Sequence, residues 1–279
     1  MMLRSISVKI LILVSLATLY TFSAAIAAPK ADLWPKWQNY KAGSEARVDN
    51  SRWAAFLKRY LVTNDPSGVN KVKYGEVTVN DRRELDAYVK TLAETDPFSL
   101  SRLEQMSYWI NLYNAFTVKL IVDNYPVKSI LDIKPDTSWT TFGPWDEKYL
   151  KVAGEDISLN DIEHRILRPI FKDPRIHYAL NCASMGCPNL QPAPYDEDNI
   201  EELFEKGARE YVNSKRGAHF DGARLVLSSI YGWYNEDFGG TDKALLAHLM
   251  KYAGKELHKR LYGYNLKINY EYDWVLNSP

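Results

Sequence analysis

Cysteine is scarce in this chain: two of its 279 residues, Cys182 and Cys187. A scaffold stapled by several disulfides is therefore excluded, and all sulfur chemistry is confined to one stretch, "HYALNCASMGCPNL", residues 177–190. An excess of charge is also missing. Lys and Arg together number 35 and so do Asp and Glu. No long basic stripe is present, which argues against nucleic acid and anionic membrane surfaces as partners. No internal repeat, low-complexity tract or Pro/Gly/Ser-rich linker divides the chain. Long apolar runs are absent, with one exception at the start.

That exception decides the expected compartment. Arg4 and Lys9 stand before or at the head of "ILILVSLATLYTFSAAIA", which ends in small residues. Ala25-Ile26-Ala27 fits the small-x-small pattern of a signal peptide cut after Ala27. The alternative is an uncleaved anchor, which Ser15, Thr18, Thr21 and Ser23 weaken. No cysteine would stand at the new N-terminus, so no lipid anchor is expected there. Cleavage removes two of the basic side chains and no acid, so the balance falls to −2. The expectation is a periplasmic or secreted protein with no membrane contact beyond the signal segment.

What is plentiful is aromatic: 19 Tyr and 8 Trp. Such residues suit both a core with wet edges and a surface that touches sugars or peptides. Residues 28–50 carry Trp34, Trp37 and Tyr40 with little periodicity and read as an N-terminal arm packed on the body, with a single domain over 51–279. "SRWAAFLKRYLV" (51–62) and "NDRRELDAYVKTLAETDP" (80–97) have helical spacing, the second stopped at Pro97. From about Ser99 to Tyr125 the pattern is apolar around most of a helix girth, which places that helix at the centre of the fold. Asn111 and Asn114 fall within it. A buried amide ties down neighbouring backbone in most proteins and orients a ligand or catalytic group in some.

Beyond Pro126 the pattern changes. "YLKVAGEDISL" reads as a β-hairpin around Gly154. "SLNDIEHRILRPI" reads as a short helix with Ser158 as N-cap, Asp161 as its capping-box partner and Pro169 as its end. Glu163, His164 and Arg168 lie on that helix. "RIHYALN" reads as a buried strand, 199–213 as an amphipathic helix, "ARLVLSS" as a strand, "KALLAHLMKYA" as a helix and 266–277 as a closing strand. Helices and strands mix without βαβ alternation. The class expected is α+β: a central buried helix with amphipathic helices packed on a small, mostly antiparallel sheet.

Three readings of the cysteines stand open. A disulfide suits an oxidising compartment and an even cysteine count. A metal site would use His177 with both sulfurs but lacks a fourth ligand. A thiol nucleophile would need an imidazole within reach, His164 or His177. The small residues Ala183, Ser184 and Gly186 make a turn whose backbone N–H groups could face an oxyanion, or serve as a plain loop.

Five ordered motifs, "YWINLYNAF", "ISLNDIEHRILR", "DPRIHYALNCASMGCPNL", "IYGWYNEDFG" and "YEYDWVLN", resemble the uncharacterised family catalogued as domain of unknown function 547. The resemblance covers roughly residues 85 to 235. It implies that Asn111, Asn114, Glu163, His164, Arg168, His177, Cys182, Ser184, Cys187 and Pro188 occupy the family's motif positions. A cysteine, histidine and amide set also suggests papain-like thiol hydrolases. Both histidines precede the cysteines here, so such kinship would need a permuted chain.

Two functions follow as expectations. One is a thiol-dependent hydrolase or acyl transferase acting on a peptide or envelope component. Cys182 would be its nucleophile, His164 or His177 its base and Glu163 or Asn114 the orienting group. Arg168, Ser184 and Asn111 would then hold the substrate. The other is a non-catalytic envelope module that binds a small molecule or peptide. Its Cys182–Cys187 disulfide would pin a loop beside an aromatic surface that includes Trp233, Tyr234, Asp237 and Phe238. Neither reading requires a cofactor or a metal.

Overall fold

The computed structural model describes residues 29–134 and 143–279, and the expected signal segment lies outside them. Three helices build the first half. Helix α1 spans Ser51–Tyr60, α2 Val79–Glu94 and α3 Arg102–Asn124. Hydroxyls start the last two: Thr78 accepts the N–H of Asp81, and Ser101 accepts that of Glu104. Every residue of α3 from Glu104 to Val118 is buried, so its all-round apolar pattern does put it at the centre. The arm packs on this body. Trp37 is fully buried, with its ring 5.2 Å from that of Trp109 on α3.

Two strand pairs flank the helices: β1 (Leu61–Val62) with β2 (Lys71–Val72), and β3 (Leu150–Val152) with β4 (Glu155–Ile157), both antiparallel. The second is the hairpin expected around Gly154. The capping box is present too. The N–H of Ser158 donates to Asp161 at 2.8 Å, and the N–H of Asp161 to the Ser158 hydroxyl at 3.1 Å.

The helix that follows differs from the expected one. Residues Asp161–Leu167 form a wide π-helical stretch, and α4 (Arg168–Phe171) continues it through Pro169. Pro169 was expected to stop the helix because it lacks an N–H and clashes with the preceding turn. The widened turn relieves that conflict, since the N–H of Arg168 reaches back to Glu163 O. The carbonyls of His164 and Arg165, which would face Pro169 and its missing N–H, take the arm's N–H groups. Asp32 donates to His164 O at 2.9 Å and Trp34 to Arg165 O at 3.0 Å. The helix ends at Lys172, which is left-handed at φ 53°.

"RIHYALN" is a second correction. It forms a short helix, α5 (Ile176–Ala179), not a strand. The Asp173-Pro174 turn starts the helical bonds, with Ile176 N–H on Asp173 O and His177 N–H on Pro174 O. All four residues are buried. A short apolar run signals burial without fixing the period.

Helix α6 (Ile200–Val212) leads to strands β5 (Ala218–Asp221) and β6 (Arg224–Ser228), which pair antiparallel. Helices α7 (Ser229–Trp233), α8 (Asp242–Tyr252) and α9 (Lys255–Leu261) follow. The closing strand is shorter than expected. Only β7 (Asn269–Glu271) pairs with β6, in parallel, and an isolated bridge joins Leu276 to Ser184. Small, mainly antiparallel sheets packed against helices make the class α+β. Two apolar clusters meet along α5 and α6. Ile176, Ala179, Leu203 and Phe204 belong to the first; Tyr178, Ala208 and Tyr211 belong to the second. Among the described residues no helix is long and apolar enough to cross a membrane.

Candidate functional site

Charged side chains gather where these clusters meet. His177 on α5 points one ring nitrogen, Nε2, at Asp237 Oδ2 (2.7 Å) and the other, Nδ1, at Glu163 Oε1 (3.7 Å). The same Asp237 oxygen accepts a hydrogen bond from Arg168 Nε at 2.5 Å. Arg168 is itself buried, and its Nη1 donates to His164 Nδ1 (3.0 Å) and to Pro29 O (2.8 Å). Tyr234 lies beneath the group. Its ring stacks on His177 at 4.2 Å, and the Arg168 guanidinium sits 4.8 Å above it. Tyr234 and Tyr113 also lie near enough to Glu163 to pull its carboxyl down.

The electrostatics follow from burial and pairing. Burial pushes the Glu163 carboxyl up, against the opposing pull of His177 and Arg168. His164 is pushed down to about 3 by burial and by the adjacent guanidinium, so it is a neutral acceptor for Arg168. Burial alone would raise Asp237, but the hydrogen bonds and charges of His177 and Arg168 hold it down to about 2. A carboxyl lowered on folding stabilises the fold above its ordinary value, and that stability is lost as pH falls through the folded one. The stabilisation from Asp237 is therefore lost as pH falls from about 4 to about 2. Melting temperatures over that range should fall less steeply in Asp237→Asn than in the parent; parallel curves would refute the assignment.

The sulfurs sit on the adjoining loop. Cys182 and Cys187 are at disulfide distance, with Cα atoms 6.1 Å apart. Cys187 is buried and Cys182 is half-buried. The Tyr272 hydroxyl lies 3.0 Å from Cys182 Sγ and 3.2 Å from Cys187 Sγ, and the Ser184 hydroxyl lies 3.0 Å from that of Tyr272. Tyr272 feels the charged cluster through Glu163: burial pushes its hydroxyl well up, and nearby Tyr211 and Glu163 push the same way. Tyr272 leads from the sulfurs into a chain of half-buried rings that pack on one another, with centroids 4.7 Å apart for Tyr272–Trp274, 4.9 Å for Trp233–Tyr272 and 5.7 Å for Trp145–Trp274.

The expected residues thus fall into three sets. Glu163, His164, Arg168 and His177 form the charged cluster. Cys182, Ser184 and Cys187 form the loop, whose neighbour Pro188 offers its carbonyl to Asn181 Nδ2. Asn111 and Asn114 are spent on backbone. Asn114 donates to Ala179 O and accepts the N–H of Asn181, both at 2.9 Å, while Asn111 makes the same pair with Tyr195 at 2.7 and 2.9 Å. Hydroxyls contact the sulfurs, and the polar contacts of both expected histidines run to charged side chains. Of the aromatic surface expected at 233–238, Trp233 alone joins the rings beside Cys182; Tyr234 and Asp237 turn into the charged cluster, and Phe238 is buried. Sequence reasoning missed Tyr113, Trp145, Tyr272 and Trp274. The alternation of Tyr270, Tyr272 and Trp274 was the available signal for the last two.

No curated protein and no solved structure gives a significant match to the chain. The family described as "Protein of unknown function, DUF547" matches residues 97–212, a span that runs from α3 through the charged cluster and the sulfur loop to the end of α6. Over those residues the chain carries the domain of that family.

Proposed function

We propose that the chain is an exported, periplasmic or secreted binding module whose ligand, a small molecule or peptide of the cell envelope, rests on Trp145, Trp233, Tyr272 and Trp274. The observation that carries this reading is the position of those rings. They stay half-buried and packed on one another, with the paired sulfurs and the Ser184 hydroxyl against Tyr272 as the polar groups. Apolar walls with a few placed polar groups are the ordinary make-up of a small-ligand site. Export rests on the N-terminal apolar run. Titration with a panel of tetrapeptides and tetrasaccharides, read by tryptophan fluorescence, tests the surface. Trp233→Ala together with Trp274→Ala should abolish the binding seen in the parent. Changing both cysteines to serine should lower the melting temperature and leave binding intact. Binding that survives loss of both tryptophans sinks the proposal.

A second reading, the thiol-dependent hydrolase or acyl transferase, is favoured by one observation: the half-buried Cys182 has two hydroxyls, those of Ser184 and Tyr272, against its sulfur. It requires the reduced protein to cleave chromogenic ester or amide substrates and Cys182→Ser to abolish that cleavage. No turnover after reduction counts against it.

A further inference from the structure

We infer that the Cys182–Cys187 crosslink is a thiol–disulfide exchange site, attacked at Cys182 by an external dithiol, and not a permanent staple. Three observations carry the inference, and none requires that the aromatic surface bind a ligand.

The first is that the loop is closed without its sulfurs. One side chain, Asn181, spans it, accepting the N–H of Ala183 at 2.9 Å and donating to Pro188 O at 2.8 Å. The loop also pairs with the C-terminal segment: Met185 N–H to Val275 O at 2.7 Å, Gly186 N–H to Asp273 O at 2.8 Å, and Asn277 N–H to Ala183 O at 3.1 Å. Gly186 allows this approach, since a Cβ there would lie 2.9 Å from the Asp273 backbone N and O. Tyr211 donates to Gly186 O at 2.7 Å. A crosslink across so short a loop restricts the unfolded chain less than one across a long loop would, and the folded loop keeps its shape without it. Opening it leaves both thiols in place to close again.

The second observation is the difference in access. Cys187 is 2% exposed, whereas Cys182 is half-buried at the aromatic surface. An attacking thiolate needs an approach to the sulfur it strikes, and of the two residues Cys182 is the more exposed.

The third is the environment of the sulfur that would leave. Cys187 Sγ accepts the N–H of Cys182 at 2.8 Å and the hydroxyl of Tyr272 at 3.2 Å. The Tyr272 hydroxyl lies as near to Cys182 Sγ, at 3.0 Å, but the backbone N–H serves Cys187 alone; it strengthens as charge develops on that sulfur and makes Cys187 the better leaving group.

The chemistry balances with a dithiol as the reductant. One of its thiolates attacks Cys182 Sγ, the Cys182–Cys187 bond breaks, and Cys187 departs with the electron pair as a thiolate. The reagent's second thiolate then attacks its own sulfur in the mixed disulfide and releases Cys182. The dithiol is oxidised to a disulfide, the protein is reduced to two thiols, and the two protons pass from reagent to protein.

Full-length protein treated with dithiothreitol under native conditions, acid-quenched and alkylated tests this. Full labelling of both cysteines with an unchanged circular-dichroism spectrum is expected, and added oxidised glutathione should restore the crosslink. In the single variants, Cys187→Ser should form a mixed disulfide with glutathione about tenfold faster than Cys182→Ser. Peptide mapping of the parent after limiting reduction and glutathione capture gives the same information without substitutions, with glutathione expected on Cys182. Opening only after denaturation, or capture at Cys187 as readily as at Cys182, would overturn the inference.

Discussion

Arg168→Met is expected to lower the unfolding free energy by about 3–5 kcal/mol, the cost of removing one partner from a buried charge network. Methionine nearly matches the stem in volume, so the loss reports the guanidinium and not a cavity. That group holds Asp237, His164 and the Pro29 carbonyl together and covers the ring of Tyr234. Without it the carboxylate of Asp237 keeps only His177, and the arm loses its tie at Pro29. Arg168→Lys should recover a minor part of the loss, because a single ammonium cannot hold carboxylate, imidazole and carbonyl in one plane. Urea unfolding of the three proteins measures this. A loss below about 1 kcal/mol for methionine would show an exposed, weakly coupled cation instead.

Asn114→Ala is the second large effect, about 2–4 kcal/mol. It strands Ala179 O and Asn181 N–H, each buried and costing on the order of 1–3 kcal/mol when unpaired. The damage is local as well as global. These two groups bound the turn from α5 into the sulfur loop, so Cys182 should gain access to bulky maleimides after reduction. Asn114→Asp restores the acceptor but not the donor, and should be destabilising too. Full stability in Asn114→Ala, measured by the same urea titration, would mean the amide is not what fixes that turn.

Much of this arrangement can be read from the residues alone, and the failures have physical causes. Helix α3 is legible because an apolar girth of over twenty residues has no other use in a chain of this composition. The hairpin at Gly154 and the Ser158–Asp161 capping box are legible because local backbone chemistry decides them. Asn111 and Asn114 stand out as polar residues in an apolar helix, and they do what buried amides do most often. Helix α5 is not legible: 176–181 is buried throughout, and periodicity cannot choose between strand and helix over so short a run. The passage of the helix through Pro169 is invisible for a different reason. It depends on backbone donors from Asp32 and Trp34, more than 130 residues earlier. Tyr272 escaped notice because its role is created by the fold. Nothing in "YEYDWVLN" says which ring will lie on the two sulfurs.

The central claim is that the charged cluster and the sulfur loop are one site, joined through Tyr272. A double-mutant cycle between Glu163→Gln and Tyr272→Phe, measured by urea unfolding of the oxidised protein, tests it directly. Residues acting within one network should depart from additivity by at least about 0.5 kcal/mol. Losses that simply add, to within about 0.3 kcal/mol, would show two independent neighbours and contradict the account.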